Sequence, residues 1–136
     1  MRCLCATVRR TGRLLTRKYE DALRPSGLSV SQFELMAMVR GMQPVDQTTV
    51  ANELETDQTT LSRNLKLLLA QGWLEVVMDE RDGRRRCYQL TSTGGEVLRS
   101  AKQCWDGVHA EMEGLLGMPM SEVWPLLERI QDAARG

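Results

Sequence analysis

The polar residues with the clearest chemical pattern lie on one short segment that follows Asp57. They are Gln58, Thr59, Thr60, Ser62, Arg63 and Lys66, and they alternate with Leu61, Leu65 and Leu68. At helical spacing the three leucines share one face, and the free polar face lies opposite. Arginine pairs bidentately with guanine and glutamine with adenine, while hydroxyl groups bond bases or phosphates. This face is therefore suited to the major groove of DNA, and a merely solvated polar face is the alternative.

A second polar group consists of Asp82, Arg84, Arg85 and Arg86. It lies between two strand-like runs, and the Asp-Gly pair at its tip is a strong signal for a β-hairpin. So short a loop cannot bury its arginines, and an arginine on a narrow hairpin fits the minor groove. We expect Asp82 to orient the Arg84 guanidinium through a charge-assisted hydrogen bond. A solvated turn is the alternative.

The helices that must position these groups follow from apolar spacing and from capping residues. Ser29 and Gln32 form the S-x-x-Q capping box of a helix that Gly41 should close, and Asp46 and Asp57 cap the next two. The predicted helices of this half span residues 3–24, Val30 to about Arg40, a short stretch from Asp46 to Leu54 or Glu55, and Gln58 to about Gln71, where Gly72 ends the last.

The second half begins with β structure and returns to helix. Its predicted elements are strands at Trp73–Met78 and Arg86–Leu90, a long helix capped by Thr91, and a last helix from about Glu122 to Ala134. Short helices followed by a two-stranded hairpin predict a winged helix-turn-helix, a mainly α fold with a small β-hairpin. Its recognition element should be the fourth helix of the chain.

Composition argues against several other classes of protein. The chain has 136 residues, 18 basic and 18 acidic side chains, and four cysteines, too few and too irregularly spaced for a disulfide framework. Because no run of about 18 apolar residues occurs and the first twenty residues are rich in arginine, we expect a cytoplasmic protein. The net charge of zero hides local clusters, since residues 1–24 hold seven basic and two acidic side chains.

Catalytic motifs are not recognisable in the sequence. It has no glycine-rich phosphate loop, no H-E-x-x-H pair and no nucleophile elbow. The single histidine, His109, is expected to be a polar neighbour of Trp105 and Met112. We therefore expect a protein that is not an enzyme and that needs neither a cofactor nor a metal.

Six segments carry a resemblance to a known family. They are Val50–Leu54, Asp57–Arg63, Leu68, Gly72–Leu74, Asp82–Arg86 and Leu90–Gly94. Together with the order of helices over nearly the whole chain, they resemble the MarR-type (multiple antibiotic resistance regulator) transcription factors. The sequence departs from that family in two places: Glu55 stands where glycine is common, and Gly83 replaces the first arginine of the common Asp-Arg-Arg wing.

The resemblance implies a transcriptional regulator that binds double-stranded DNA in a bacterial or archaeal cytosol. A repressor relieved by a small ligand or by thiol oxidation is the expected form. The roles carried over by position are recognition by Thr59, Thr60, Ser62 and Arg63, and wing contact by Asp82 and Arg84. A helical adaptor that kept the fold without binding DNA is the alternative.

The resemblance also implies a homodimer in which the terminal helices pair. We expect one compact unit with a dimerisation helix at residues 1–27, the winged helix-turn-helix lobe at 28–91 and further dimerisation helices at 92–136. Apolar stripes on the first and the last two helices exceed what a small lobe can cover, and such patches are rare on monomers. Two-fold pairing predicts a pseudo-palindromic operator.

Effector sensing would involve the first helix. Members of the family often bind small aromatic acids between the dimer helices and the DNA-binding lobe, which makes Arg10, Arg13 and Arg17 candidates for a ligand pocket. A solvated face, or pairing with acidic groups of the last two helices, is the alternative. Cys3 and Cys5 are candidates for oxidant sensing, as in the hydroperoxide-sensing branch, with soft-metal binding and plain apolar packing as alternatives.

Overall fold

Six α-helices and a three-stranded antiparallel sheet make up the chain, and the computed structural model describes all 136 residues. The helices are α1 (Leu4–Leu23), α2 (Val30–Met42), α3 (Gln47–Leu54), α4 (Gln58–Ala70), α5 (Ser92–Leu116) and α6 (Met120–Arg135). The strands are β1 (Val45–Asp46), β2 (Leu74–Met78) and β3 (Arg86–Leu90), in the order β1-β3-β2. This is the predicted winged helix-turn-helix, with terminal helices added to it.

Side-chain caps fix the starts of α2, α3, α4 and α5, as the sequence predicts. Ser29 and Gln32 form a reciprocal capping box on α2. The Asp46 carboxylate accepts from the Thr49 backbone N–H at 3.1 Å, and the Thr91 hydroxyl accepts from Gly94 at 3.0 Å. Since a capped N-terminus is worth about 1 kcal/mol, these polar residues define the helix starts of the lobe.

Two helix boundaries differ from the expectation by two residues, several others differ by one, and one short strand was not expected. Helix α2 continues through Gly41 to Met42, because Gly41 does not adopt the left-handed conformation of a terminating glycine. Helix α6 begins at Met120 after Pro119 rather than at Glu122. Strand β1 was missed, because two residues carry no periodic signal. It pairs Val45 with Tyr88 of β3.

The core of the lobe lies between α2, α4, the sheet and the start of α5. The leucines predicted to share one face of α4 are all buried, and they pack with the apolar face of α2. The most deeply buried side chains include Leu35, Met36, Val39, Leu61 and Leu68. Burying one such side chain contributes about 1.5–3 kcal/mol, so this one cluster fixes the orientation of α4.

Hydrogen bonds join the start of α5 to the turn between α4 and β2. The Thr91 hydroxyl donates to the Gly72 carbonyl at 2.6 Å, and the Thr91 N–H donates to the Trp73 carbonyl at 3.1 Å. A Cβ atom at Gly94 would overlap the Trp73 carbonyl, so only glycine fits there. The long helix therefore leaves the lobe in a fixed direction.

Helices α1 and α6 leave large apolar side chains uncovered. Leu4 is 65% exposed, Val8 43%, Leu126 59% and Leu127 40%. The expected stripe on α5 is only partly uncovered, because Ala101 and Val108 are buried within the chain itself. No helix combines the length and the apolar content needed to cross a membrane.

Candidate nucleic-acid interface

One face of α4 is an open polar surface. Its lining residues are Gln58, Thr59, Ser62, Arg63 and Lys66, with no apolar member. The buried leucines on the opposite side hold this face outward. Arg63 and Lys66 are exposed and form no ion pair with the protein. Both positive charges are therefore available to an external anion.

Thr60 is separated from the other polar residues of α4. Its hydroxyl donates to one Asp57 carboxylate oxygen and its backbone N–H to the other, both at 2.8 Å. These bonds, the backbone one first, hold the pKa of the Asp57 carboxyl below its usual range. Thr60 therefore serves the helix cap and lines a different groove, beside Ser31 of α2.

The turn between α3 and α4 tolerates the residue that departs from the family pattern. Glu55 adopts the left-handed conformation, with φ 50°, that glycine takes most easily. Its backbone N–H reaches the carbonyls of Ala51 and Asn52. Its carboxylate forms an ion pair with Arg135 of α6 at 2.7 Å. The turn thus forms without glycine, and sequence reasoning missed the contact because its partners are far apart in the chain.

The wing is a tight turn at the tip of the β2–β3 hairpin. The Arg85 N–H donates to the Asp82 carbonyl, and the Asp82 carboxylate accepts from the Arg84 backbone N–H at 3.1 Å. The expected bond from Asp82 to the Arg84 guanidinium is therefore wrong, because a carboxylate two residues upstream closes a local turn with the backbone instead. The Arg84 side chain is exposed and makes no ion pair within the chain.

Arg85 connects the wing to α3. Its Nε and Nη2 atoms both donate to Asp46 Oδ2, at 3.0 and 2.6 Å, and Nη1 lies 3.7 Å from Asp79. Hydrogen bonding by Thr49 first, and then by Arg85, holds the pKa of the Asp46 carboxyl below its usual range. Arg85 is thus engaged within the protein, unlike Arg84. The sequence predicted Asp46 as a helix cap, but it gave no local signal for the contact between Asp46 and Arg85.

Arg86 also has a partner within the chain. Its guanidinium carbon lies 5.7 Å from the centre of the Tyr88 ring, which is cation–π geometry. Of the predicted wing arginines, Arg84 therefore has a free side chain, whereas Arg85 and Arg86 contact other residues of the chain.

The arginines proposed for ligand binding are not brought together in one cavity. Arg13 and Arg17 line a shallow polar groove on α1, and Arg10 is outside it. The alternative of pairing with late acidic groups is realised by Lys18 and Glu111, at 3.0 Å, and by none of these arginines.

A separate cavity of about 330 Å³ lies between α1, α2, α5 and α6. Its aromatic walls are Tyr19, Phe33, Trp105, His109 and Trp124. The His109 ring stacks on Trp105 with 4.4 Å between centroids, as expected for a polar neighbour of that residue, and its Nδ1 lies 3.5 Å from the Tyr19 hydroxyl. Sequence reasoning missed this cavity, because four helices contribute to it.

The four cysteines differ in exposure, and Cys104 on α5 is partly buried. Cys3 and Cys5 are exposed at the start of α1, where Cys3 is the N-cap residue. Cys87 is buried in β3, and burial raises the pKa of its thiol. No group of three or more potential metal-ligating side chains is present.

The fold and the free face of α4 together define a winged helix-turn-helix protein. Comparison with known proteins agrees. A model of the MarR family matches residues 26–85. The transcriptional regulator MosR of M. tuberculosis, solved in complex with DNA, is 32% identical with a TM-score of 0.84, covering 98% of this chain and 97% of MosR. MarR of E. coli in its apo form shares the fold, at 20% identity and a TM-score of 0.75, with 98% of each chain covered.

A curated relative supports the same assignment over part of its length. The HTH-type transcriptional regulator YwoH of Bacillus subtilis is 29% identical over 90 residues, which are 66% of this chain and 65% of YwoH. The chain belongs to the MarR family of DNA-binding transcriptional regulators.

Proposed function

We propose that two copies of this chain bind duplex DNA, with α4 in the major groove and the wing in the minor groove. The observation that carries the proposal is the open face of α4, on which Arg63 and Lys66 have no partner within the protein. The wing belongs to the same surface, because Asp46 contacts Arg85 and the next residue, Gln47, contacts α4.

The residues of this surface take different roles. Gln58, Thr59, Ser62 and Arg63 face base edges, whereas Lys66 suits a phosphate. Arg84 is the wing residue that enters the minor groove. Asp82 shapes the turn, and Arg85 and Arg86 support the hairpin. Thr60 donates to the Asp57 cap of α4, and its hydroxyl oxygen can still accept a hydrogen bond.

The dimer is formed by the terminal helices. Exposed apolar side chains on α1 and α6, such as Leu4 and Leu126, need a second apolar surface. A second copy supplies that surface by two-fold symmetry and sets two recognition helices about one DNA turn apart, roughly 34–36 Å or a multiple of it. In this proposal segments 1–27 and 92–136 dimerise, and 28–91 contacts DNA in the cytosol.

Selection from random duplexes tests this function. Wild type should enrich a pseudo-palindrome and bind it with an affinity that falls steeply with salt, because phosphate contacts release counterions. Arg63→Ala should relax the preference at one base position, a loss of about 1–3 kcal/mol of discrimination. Arg99→Ala on α5 is the matched control and should behave as wild type. Failure to enrich any sequence would favour the adaptor alternative.

Regulation is proposed to act through the terminal helices. The aromatic cavity between α1, α2, α5 and α6 suits a small planar ligand, because such sites are mostly apolar with a few polar groups. A ligand there would relieve repression by changing the angle between the two lobes.

Thiol oxidation is the second candidate for regulation, favoured by the exposure of both Cys3 and Cys5 next to helix α1. Mild peroxide should then weaken operator binding, and a thiol reductant should restore it. A Cys3→Ser, Cys5→Ser variant that responds to peroxide as wild type does would remove these thiols as the sensor. Cys104→Ser, which removes a partly buried thiol of α5, is the control and should keep the wild-type response.

A further inference from the structure

One residue outside the recognition helix contacts two of the residues that face DNA. Gln47 is the first residue of α3. Its side-chain Nε2 donates to the Ser62 hydroxyl oxygen at 2.7 Å and to the Gln58 Oε1 atom at 3.1 Å. Gln58 and Ser62 are one helical turn apart on the open face of α4.

The backbone at Gln47 is held in place by the contacts of its neighbour Asp46. Asp46 caps α3, pairs with Cys87 in the sheet and accepts two hydrogen bonds from Arg85. Gln47 is partly buried, whereas Gln58 is exposed. The backbone of Gln47 is therefore fixed by the lobe, and its side-chain amide, which bonds only Gln58 and Ser62, links both residues of α4 to that fixed point.

The direction of these hydrogen bonds limits what the two residues can offer to a base. An amide nitrogen donates only, so the Ser62 oxygen and the Gln58 carbonyl both act as acceptors toward Gln47. The Ser62 hydroxyl hydrogen is left to donate elsewhere. The Gln58 NH₂ group is also left free, while its carbonyl keeps a second lone pair.

We infer that Gln47 is a positioning residue that sets base preference by presenting Ser62 and Gln58 to DNA chiefly as hydrogen-bond donors. The inference rests on the proposed function and adds a specificity to it. The donors match purine N7, guanine O6 and thymine O4, and the Gln58 amide can still pair with adenine through N7 and N6. Cytosine presents no acceptor in the major groove, so the free Ser62 hydroxyl hydrogen and Gln58 NH₂ group stay unpaired there, and cytosine should bind more weakly than the other three bases at these positions.

The test is duplex selection, followed by affinity measurements on all four bases at each enriched position, for wild type and two variants. Gln47→Met keeps a similar length without hydrogen bonding, and its preference at the Ser62 and Gln58 positions should weaken about tenfold, roughly the effect of one well-placed pair. Gln47→Glu reverses the polarity, because a carboxylate only accepts. Ser62 and Gln58 would then donate inward, and the preference should move toward cytosine or the adenine N6 group.

The control and the contrary outcomes are distinct. Gln131→Glu adds the same negative charge as Gln47→Glu, but on α6 and outside α3 and α4, and it should keep the wild-type motif. The added charge at Gln47 lowers affinity for all four bases alike, so the ratio between bases is the diagnostic readout. A clear wild-type motif that both variants share would overturn this inference alone. A wild type that enriches no motif would overturn the proposed function, and this inference with it.

Discussion

The winged lobe and the terminal helices differ in how completely a single chain covers their apolar residues. In the lobe, Leu61 is 2% exposed and Val39 is fully buried. On α6, Leu126 lies on the apolar face of an amphipathic helix, yet its side chain is 59% exposed. The apolar core of the lobe is thus covered within one chain, whereas the terminal helices expose apolar side chains that the proposed dimer covers.

This difference separates stability from assembly. Substitutions in the lobe should change the free energy of unfolding of each chain, because the side chains there pack against others of the same chain. Substitutions on the exposed faces of α1 and α6 should change the dimerisation constant instead, and they should affect stability only through linkage to protein concentration. The two regions can therefore be tested independently.

The largest expected effect is in the core of the lobe. Leu61→Ala removes a buried side chain and should lower the free energy of unfolding by about 2–5 kcal/mol. Leu67→Ala on the same helix is the control, since Leu67 is 48% exposed, and it should cost about 0.5 kcal/mol or less. Urea unfolding at one fixed protein concentration measures both. Equal losses would mean that α4 is not packed as described.

A charge on the exposed face of α6 should break the dimer. Leu126→Asp would bury an unpaired carboxylate and should weaken dimerisation by about 3 kcal/mol, or more than a hundredfold. Gln131→Asp places the same charge on an exposed polar position of α6 and should have little effect. Sedimentation of both variants over a range of concentrations decides the matter. A Leu126→Asp variant that remains dimeric would contradict the assignment of α6 to the interface.

The sequence predicts the structure of the lobe more completely than the packing of the terminal helices, for a physical reason. Caps such as Ser29 and Asp57, and the leucine face of α4, are local signals that one segment carries. The bond from Asp46 to Arg85 joins residues far apart in the chain, so no spacing rule predicts it. The aromatic cavity depends on how four helices meet, which capping and periodicity do not determine.

Within the lobe, the two neighbouring wing arginines should give different phenotypes. Arg84→Ala should weaken DNA binding by about 1–2 kcal/mol across many sequences without changing stability, since a wing arginine reads groove width and phosphate potential. Arg85→Ala should weaken DNA binding and also lower the free energy of unfolding slightly, because it loses the ion pair and hydrogen bonds to Asp46. Fluorescence anisotropy with labelled DNA measures the affinity of each variant, and urea unfolding measures its stability. Loss of stability in Arg84→Ala would show that these roles are interchanged.

The smallest expected effect is a pH dependence of the link between the wing and α3. Because the pKa of Asp46 is lowered in the folded chain, its stabilising effect is present above the ordinary aspartate pKa of about 3.9. It is lost as the pH falls through the lowered folded value. Asp46→Asn keeps a capping side chain, so its stability deficit relative to wild type should shrink below about pH 3.9. A deficit that is constant from pH 7 to pH 3 would contradict a role for the charge.

In the proposed complex, two copies of the chain place two winged lobes on one duplex. The most direct test is the stoichiometry of wild type on its selected duplex, measured by sedimentation together with footprinting. We expect two chains per duplex and two protected half-sites whose centres are about 10 base pairs apart, or a multiple of that spacing. One chain bound to a single unrepeated half-site would contradict the account.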